Sequence, residues 1–487
     1  MSFELLPSAW RVVIQSPPGL LKALTQEGAL LCASLCAKVR EAIQAKHWTE
    51  VKTLGKELQE VSWESLHSGA AWREVTVTIR RAYAHSQFVL AAAEIVQMQQ
   101  DGYSDTAETC LKECMRRLDM ALLMGPPDIQ AEANGLIDWV QDELLQHLPQ
   151  KPLLPARKRF RPSKARINDE EDDIPRLACP SLHAFLDQHM KPQVPVILTD
   201  GLEHWPALKL WRDLNYLKRV AGQRVVPVEV GTGTYLTAET EEEGEDEEGG
   251  EWGQQLMPLT DFIERYVVDA CSEVDGGEGE FGRESVKNLM VSGADAKLEY
   301  TSGGGEGEGI GRDVGKIEGK TNRALRDKRK KKGYLAQHEL FEQVAALKKD
   351  IYVPDYCALE VDEEGEEEED GQVILHAWFG PGGTVSPTHT DPYHNLLAQV
   401  VGSKAVRLFA PSQSPYLYAH EGLLNNNSRV NVQKPDLEKF PLFAQAKSQR
   451  CVLKEGEMLY IPPLWWHHIE SLETSFSVSF WWGRRRG

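Results

Sequence analysis

Two short motifs in the sequence pair a histidine with an acidic residue two positions later. They are HTD at 389–391 and HIE at 468–470. With 14 histidines and 74 acidic residues in 487 positions, about two such matches are expected by chance, so the motif alone is weak evidence. Residues i and i+2 of a β-strand project to the same face. Either motif can therefore present an imidazole and a carboxylate to one metal ion.

A complete metal site needs a third ligand from a later strand. The segment WWHHIESL contains the adjacent residues His467 and His468, and only one of them can face the same side of a strand. No histidine follows Glu470 in the sequence, so the HIE motif has no later partner. The pair His389 and Asp391 can be completed by either of the two adjacent histidines.

Two imidazoles and one carboxylate form the ligand set of non-haem Fe(II) oxygenases. They cover one face of the iron and leave positions for a bidentate 2-oxoacid and for dioxygen. Zinc hydrolases more often use three nitrogen ligands or an HExxH helix, and HExxH does not occur in this sequence. We therefore expect an oxygenase that uses Fe(II), 2-oxoglutarate as cosubstrate, and dioxygen.

Lys404 is a candidate partner for the second carboxylate of 2-oxoglutarate. That carboxylate needs a cation deep in an apolar barrel, and Lys404 lies in the apolar run LLAQVVGSKAVRLFAP. The alternative is an ordinary lysine at a strand end, since the residue follows Gly402 and Ser403. The HTD motif, an inner lysine and a late histidine together form a more specific pattern than each alone.

Short strands are the elements that must position these residues. From about residue 176 onward, β-branched and aromatic segments such as VPVILTD, VILHAWFG and SFSVSFWW are bounded by Gly, Pro or Asp. Short helical patterns lie between them. The pattern predicts an antiparallel barrel or double-sheet jelly roll over residues 176–487. Low-complexity segments at about 239–251, 272–332 and 362–370 are predicted to be insertions in it.

The first part of the chain has a different pattern. Residues 1–150 contain several segments with apolar residues at helical spacing, without a fixed repeat period. We expect an all-α domain of stacked hairpins that serves docking or forms a homodimer. Residues 151–175 are rich in proline and basic residues and then in acids, which indicates a linker and a candidate nuclear import signal. The predicted fold class is α+β, a helical domain followed by a barrel.

The charge distribution bears on whether the protein binds nucleic acid, basic proteins or membranes. The formal net charge is −20, which argues against direct binding of nucleic acid. Nine acids in residues 239–251 and eight in 362–370 carry most of it, either as solvated insertions or as docking sites for a basic partner. No run of about 18 apolar residues and no signal peptide is visible. We expect no membrane association and a nuclear or cytoplasmic location.

Around these motifs the sequence resembles the JmjC oxygenases. The resemblance is carried by WFGPGGTVSPTHTDPYHNLLAQVVGSKAVRLFAP and GEMLYIPPLWWHHIESLETSFSVSFWW, and it continues upstream in VPVEVG and GYLAQHELF. It implies a JmjC double-stranded β-helix, which is a cupin-like barrel, and the activity of a 2-oxoglutarate-dependent dioxygenase. It also implies that the iron ligands are His389, Asp391 and His467.

The resemblance implies roles for further residues. The positions that bind 2-oxoglutarate in the family correspond to Tyr334, Ser386, Asn395 and Lys404, with Trp481 as an additional candidate. The positions at which the substrate side chain docks correspond to Glu229, Tyr235, Gln337 and Trp378. A carboxylate beside an aromatic wall suits a guanidinium, through paired hydrogen bonds and stacking. Alternatively, Trp378 is a core aromatic residue and Glu229 an exposed residue on an edge strand.

The resemblance leaves the reaction open, because the family is described both as arginyl C-3 hydroxylases and as histone methyl-lysine demethylases. We favour hydroxylation of an arginine in a basic ribosomal, chromatin-associated or histone protein, because Glu229 offers a carboxylate to a guanidinium. No aromatic cage for a methylated ammonium can be assembled from the sequence. The alternatives are a histone demethylase that regulates chromatin in the nucleus, a non-catalytic adaptor, and a metal-dependent peptidase, which lacks a recognisable general base.

Overall fold

The structure is a computed structural model that describes residues 6, 8–15, 19–67, 75–101, 107–147, 173–231, 252–268, 331–361 and 372–484. Within these residues, long helices come first and strands follow, which confirms the predicted α+β fold. The predicted linker and the three predicted insertions lie wholly or mostly outside the described residues. No helix in the described ranges is long and apolar enough to cross a lipid bilayer.

The helical domain is built around one central helix. Its described helices are α1 (Ser8–Val13), α2 (Leu20–Gln26), α3 (Leu30–Gln44), α4 (Trp48–His67), α5 (Val77–Asp101), α6 (Ala107–Met124) and α7 (Gln130–His147), with a 3-10 turn at Pro127–Ile129. Every residue of α5 from Ala82 to Ala93 is buried, because α4 and α6 pack on its two sides. A helix that is buried on all faces is expected at the centre of a bundle.

The second part of the chain consists mainly of strands. They are β1 (Arg176–Ala178), β2 (Val196–Thr199), β3 (Val225–Gly231), β4 (Trp252–Pro258), β5 (Lys332–His338), β6 (Ile374–Gly380), β7 (Val385–His389), β8 (Tyr393–Val401), β9 (Lys404–Phe409), β10 (Gln449–Leu453), β11 (Met458–Ile461), β12 (Trp466–Ser471) and β13 (Ser475–Arg484). The short helices between them are α8 (Leu182–Phe185), α9 (Ala207–Leu210), α10 (Leu214–Ala221), α11 (Leu259–Phe262), α12 (Leu340–Gln343) and α13 (Ala345–Lys348). Further turns are π-helical at Leu186–Met190 and Ile263–Val268, and 3-10 at Asp355–Ala358, Pro411–Tyr416, Gly422–Leu424 and Pro441–Gln445.

In the described residues, these strands form two sheets. One has nine strands in the order β1-β2-β11-β8-β13-β6-β5-β3-β4, and the other has four in the order β10-β9-β12-β7. Apart from the parallel pair of β1 and β2, the paired strands are antiparallel. This two-sheet arrangement is the predicted jelly roll. The residues predicted to bind the metal and 2-oxoglutarate lie on β5, β7, β8, β9, β12 and β13, with Asp391 just after β7.

The alternation along β13 shows how the sequence separates the core from the site. Phe476, Val478 and Phe480 belong to the main core, where Trp211 lies 4.4 Å from the ring of Phe476. The intervening residues Ser477 and Ser479 face the other side of the sheet, toward the inside of the barrel. Small serine side chains on that face leave room for a ligand. The predicted strand SFSVSFWW therefore has one face for the core and one for the site.

Candidate metal centre

Three side chains that can bind a metal ion converge at one end of the four-stranded sheet. They are His389 at the end of β7, Asp391 just after it, and His467 on β12, and their ligand atoms all lie within 4.8 Å of one another. Strands β7 and β12 are antiparallel, and their register places His389 directly opposite His467. The Nε2 atoms of His389 and His467 are 3.7 and 3.4 Å from Oδ2 of Asp391.

The two adjacent histidines of β12 have different surroundings. His467 faces the other two metal-binding candidates, whereas His468 faces the opposite side of the strand. Both ring nitrogens of His468 are buried and have no hydrogen-bond partner among the described residues. The structure therefore brings His467, and not its neighbour, to the site.

Backbone carbonyls orient the rings of the two site histidines. Nδ1 of His389 donates to the carbonyl of Pro387 at 2.7 Å, and Nδ1 of His467 donates to that of Trp465 at 2.9 Å. Because a carbonyl oxygen only accepts hydrogen bonds, the ring proton lies on Nδ1 in each case. The Nε2 lone pairs then point into the site, which is the arrangement that metal-binding histidines require.

The protonation states also fit a metal. Burial lowers the pKa of His389 to about 4, and the nearby ring of His467 lowers it as well. Burial tends to raise the pKa of Asp391, but the neighbouring imidazoles of His467, His389 and His376 bring it below its usual value. At neutral pH, His389 is therefore neutral and Asp391 is ionised, as ligands of a divalent metal must be.

The metal-binding candidates lie in a pocket with a buried lysine. The other described residues that line it are Trp378, Ser386, Asn395, Leu397, Lys404, Ile469 and Ser479. Lys404 is 1% exposed, and burial lowers its pKa to about 7. Its Nζ donates to the hydroxyl of Tyr334 at 3.3 Å, and no described acidic residue acts on its pKa. A lysine in such surroundings fits a site for a carboxylate ligand.

Unpartnered polar atoms lie beside the same pocket. Oδ1 of Asn395 and Nε1 of Trp481 are buried without hydrogen-bond partners among the described residues. These two residues are opposite each other on β8 and β13, and the indole of Trp481 is stacked on the ring of Tyr393 at 5.2 Å. Ser386 lines the pocket on β7. Buried polar atoms next to a pocket are expected where a ligand supplies the missing partner.

The four residues expected to contact the substrate are placed differently. Trp378 lines the pocket. Glu229 on β3 is half-buried and directly opposite Tyr334 on β5, so the two side chains share a face of the sheet. Gln337 is exposed and has a left-handed backbone conformation, with φ of 46°. Tyr235 lies outside the described residues.

His376 is a residue near the site that the sequence interpretation missed. It lies two residues before Trp378 on β6, so both side chains face the inside of the barrel. It is 6% exposed, its Nδ1 has no hydrogen-bond partner among the described residues, and its ring lies 4.6 Å from that of Trp481. Burial lowers its pKa to about 4, although the charge of Asp391 acts in the opposite direction. The strand pattern of VILHAWFG could have predicted this, because residues two apart in a strand, such as His376 and Trp378, share a face.

Comparison with known proteins identifies both parts of the chain. A family model described as a cupin-like domain matches residues 182–486, and a model described as KDM8-like N-terminal ARM repeats matches residues 12–151. The chain is 35% identical over 430 residues to lysine-specific demethylase 8 of Danio rerio, covering 86% of this chain and 85% of that protein. It is 34% identical over 423 residues to Jumonji C domain-containing protein 5 of Drosophila melanogaster, covering 86% and 84%. The chain belongs to the JmjC family.

A third JmjC relative is lysine-specific demethylase JMJ30 of Arabidopsis thaliana, 31% identical over 452 residues, which are 87% of this chain and 84% of that protein. Membership confirms the predicted enzyme class, a 2-oxoglutarate-dependent dioxygenase. The His-Asp-His geometry is compatible with the iron that JmjC domains use in general. The ARM-repeat match explains the paired helices. The unequal lengths of the described helices in the helical domain, from 6 residues in α1 to 25 in α5, concealed the repeat in the sequence.

Proposed function

We propose that this JmjC protein is an arginyl C-3 hydroxylase that acts on a basic protein. His389, Asp391 and His467 hold Fe(II) through two neutral Nε2 atoms and one carboxylate oxygen. When bound, iron and 2-oxoglutarate supply the chemistry by which dioxygen converts a substrate C–H into C–OH, with release of succinate and carbon dioxide. The residues of the chain bind and orient the two organic reactants around the metal.

In this proposal, Lys404 and Tyr334 bind the distal carboxylate of 2-oxoglutarate. The buried ammonium of Lys404 has the hydroxyl of Tyr334 as its neighbour and no described acidic partner, so an anionic ligand supplies the missing counter-charge. Ser386 and Asn395 add hydrogen-bonding groups along the pocket. Asn395 serves this ligand through its Nδ2 donor, because its Oδ1 and the oxygens of 2-oxoglutarate all only accept hydrogen bonds. Trp481 lies opposite Asn395 on β13, and its buried Nε1–H, which has no described partner, is a donor that suits a carboxylate oxygen.

The position of Glu229 is the observation that carries the arginine assignment. Strands β3 and β5 pair so that Glu229 shares a face with Tyr334, whose hydroxyl reaches Lys404 in the pocket. A guanidinium donates paired hydrogen bonds to a carboxylate, and Trp378 offers a flat surface for stacking against it. Gln337 is a further candidate for contact with the substrate.

Demethylation of methyl-lysine is the second candidate function. Relatives in Danio rerio and Arabidopsis thaliana are named lysine-specific demethylases. Hydroxylation of an N-methyl carbon uses the same cofactors and ends in loss of formaldehyde. A methylated ammonium is typically held by a cage of several aromatic rings, whereas Trp378 is the one Trp, Tyr or Phe among the described residues that line the pocket. This difference favours arginine as the substrate.

The test compares the wild-type protein with His467→Ala and with His468→Ala as its matched control. Each protein is loaded anaerobically with Fe(II) and 2-oxoglutarate, exposed to dioxygen with arginine-containing ribosomal or histone peptides, and assayed for bound metal, succinate and peptide mass. We expect the wild type and His468→Ala to add one oxygen atom to an arginine. We expect His467→Ala to lose both the metal and the activity.

Other outcomes contradict separate parts of the proposal. Loss of a methyl group from lysine, with release of formaldehyde, would replace arginine hydroxylation by demethylation. Retention of both metal and activity in His467→Ala would refute the assignment of His467 as a ligand. If no substrate gave metal-dependent succinate, the catalytic proposal would fail and a role as an adaptor, acting through the helical domain, would remain.

A further inference from the structure

Asp119, in helix α6 of the helical domain, is completely buried against the JmjC domain. Its side chain is 0% exposed, and its partner Arg224 is 3% exposed. Oδ1 of Asp119 accepts hydrogen bonds from Nε and Nη2 of Arg224 at 2.9 and 2.7 Å, and Oδ2 accepts one from the backbone N–H of Val225 at 2.7 Å. Arg224 directly precedes β3, so this ion pair fixes the beginning of that strand to the helical domain.

A second branch of the same network leads from Asp119 to β5. Gln343, at the end of α12, donates from Nε2 to Oδ1 of Asp119 and to the carbonyl of Val225, both at 2.8 Å. Because both Nε2 protons are used, Oε1 of Gln343 accepts from Nε2 of His338 at 2.7 Å. Burial lowers the pKa of His338, in agreement with a neutral ring that carries its proton on Nε2.

The network ends next to an irregular part of β5. Gln337 directly precedes His338 and has a φ of 46°, a conformation that is unfavourable for a residue with a side chain. The pairing of β5 with β6 shifts register between Leu335 and His338, so the backbone leaves the regular ladder there. Such a conformation persists only where the surrounding structure fixes it. The hydrogen bonds from His338 through Gln343 to Asp119 provide this constraint.

We propose that Asp119 is a positioning residue of the catalytic site, through which the helical domain fixes the strands that carry Glu229 and Gln337. This inference rests on the proposed function, in which those two residues face the substrate. Asp119 holds the start of β3 through Val225 and the end of β5 through Gln343. The helical domain is then part of the substrate half of the site, in addition to any docking role.

The two ligands of the enzyme, 2-oxoglutarate and the substrate, are expected to depend differently on Asp119. Tyr334 lies in the regularly paired part of β5, opposite Glu229, and Lys404 lies on β9, which the network does not reach. The binding of 2-oxoglutarate is therefore expected to be independent of Asp119. The binding of the substrate depends on Gln337 and on the orientation of β3. Substrate affinity is therefore expected to fall when the network around Asp119 is broken. A purely structural role for the network would instead affect both ligands equally.

The test uses the full-length protein and three variants. Gln343→Met removes the link to β5 and leaves the pair of Asp119 and Arg224 intact. Asp119→Asn combined with Arg224→Met removes both buried charges, so that neither is left unpaired. Gln141→Leu is the matched control, because Gln141 in α7 donates to the carbonyl of Val220 in α10. This hydrogen bond joins the same two domains at a residue that lies outside both β3 and β5.

Affinities for 2-oxoglutarate and for an arginine-containing basic peptide that binds the wild type are measured by titration of the Mn(II)-loaded proteins, without turnover. We expect peptide affinity to fall roughly tenfold in Gln343→Met and in the double variant, which is typical of a residue that affects a site without touching its ligand. We expect 2-oxoglutarate affinity to stay within about twofold of the wild-type value. The KM for the peptide should rise in parallel. The control should match the wild type in both affinities.

Unchanged peptide affinity in Gln343→Met and the double variant would overturn the proposal. An equal loss of affinity for the peptide and for 2-oxoglutarate would also overturn it, because that result indicates general destabilisation. Melting temperatures of the ligand-free proteins would show such destabilisation directly. Since peptide affinity is measured without turnover, it decides the positioning role even if the wild type hydroxylates no arginine. Failure of hydroxylation alone would contradict the proposed function and not the role of Asp119.

Discussion

Lys404 acquires its properties from the burial of its ammonium group. Burial lowers its pKa to about 7, so the charged and neutral forms are similarly populated at neutral pH. A carboxylate ligand favours the charged form and raises the pKa in the complex. Binding of 2-oxoglutarate at neutral or higher pH is therefore expected to take up a proton.

This coupling predicts the pH dependence of cosubstrate binding. Below the free pKa of about 7, Lys404 is charged before and after binding, and affinity is constant. Above it, the free protein loses the proton first, so affinity falls by up to about tenfold per pH unit until the pKa of the complex is reached. Titration of the Mn(II)-loaded protein with 2-oxoglutarate from about pH 6 to about pH 9 measures this. A constant affinity across that range would contradict the role of Lys404, and Lys404→Met should remove both the slope and most of the affinity.

The surroundings of His376 lead to a second prediction for a single residue, which concerns peptide binding. Its buried Nδ1 has no described partner, and it shares a strand face with Trp378. If the bound substrate supplies the partner, His376→Leu should weaken peptide binding roughly three- to tenfold, the value of one hydrogen bond. Affinities for metal and 2-oxoglutarate should stay the same. His376→Asn, which retains hydrogen-bonding groups, is the control, and a loss confined to 2-oxoglutarate would disprove the substrate role.

Among the elements, the turn between β8 and β9 positions Lys404, the first residue of β9, in the pocket. Gly402 in this turn has a φ of 75°, and a Cβ atom added there would lie 2.3 Å from the backbone oxygen of Thr474. Gly402→Ala should therefore lower the free energy of unfolding by about 3 kcal/mol, through strain and a clash together. Urea unfolding provides the measurement.

Gly456, in the turn between β10 and β11, provides the matched control for Gly402. It has a φ of 87°, but an added Cβ would meet no atom within 4 Å. Gly456→Ala should cost about 1 kcal/mol from backbone strain alone. If both variants lost the same stability, the clash with Thr474 would not contribute and the explanation for Gly402 would be wrong.

The strands around the site could be predicted because their patterns are local. The alternation in SFSVSFWW and the i, i+2 spacing of His389 and Asp391 are visible within a few residues. The choice between His467 and His468 could not be made in this way. It depends on the register of β12 against β7, which is a pairing between distant segments. The resemblance to JmjC proteins was needed to predict which histidine faces the site.

At the scale of the whole molecule, the contact between the two domains had no signal in the sequence. Asp119 lies 224 residues from Gln343 along the chain and resembles any polar residue of an amphipathic helix. Periodicity predicts which helix face is buried, but it does not predict a buried carboxylate whose partners lie in another domain. The helical domain was accordingly expected only to dock partners or to form a homodimer.

The acidic segments predict how the whole molecule meets a basic substrate. Residues 239–251 and 362–370, with nine and eight acids, follow the strand of Glu229 and precede the strand of Trp378 in the chain. Deletion of both should slow association with a basic peptide about tenfold at low salt and much less at high salt, because long-range attraction is screened. Stopped-flow measurements at two ionic strengths test this. Equal association rates at low salt would contradict it.

The adjacent histidines of β12 have a consequence for the fidelity of folding. If β12 slipped by one residue, His468 would turn inward and still offer an imidazole to the metal, while Ile469 would leave the wall of the pocket. A misfolded chain of this kind could capture iron without forming a binding site for 2-oxoglutarate. Iron content is therefore a poor criterion for the quality of a preparation of this protein, and saturable binding of 2-oxoglutarate is the better one.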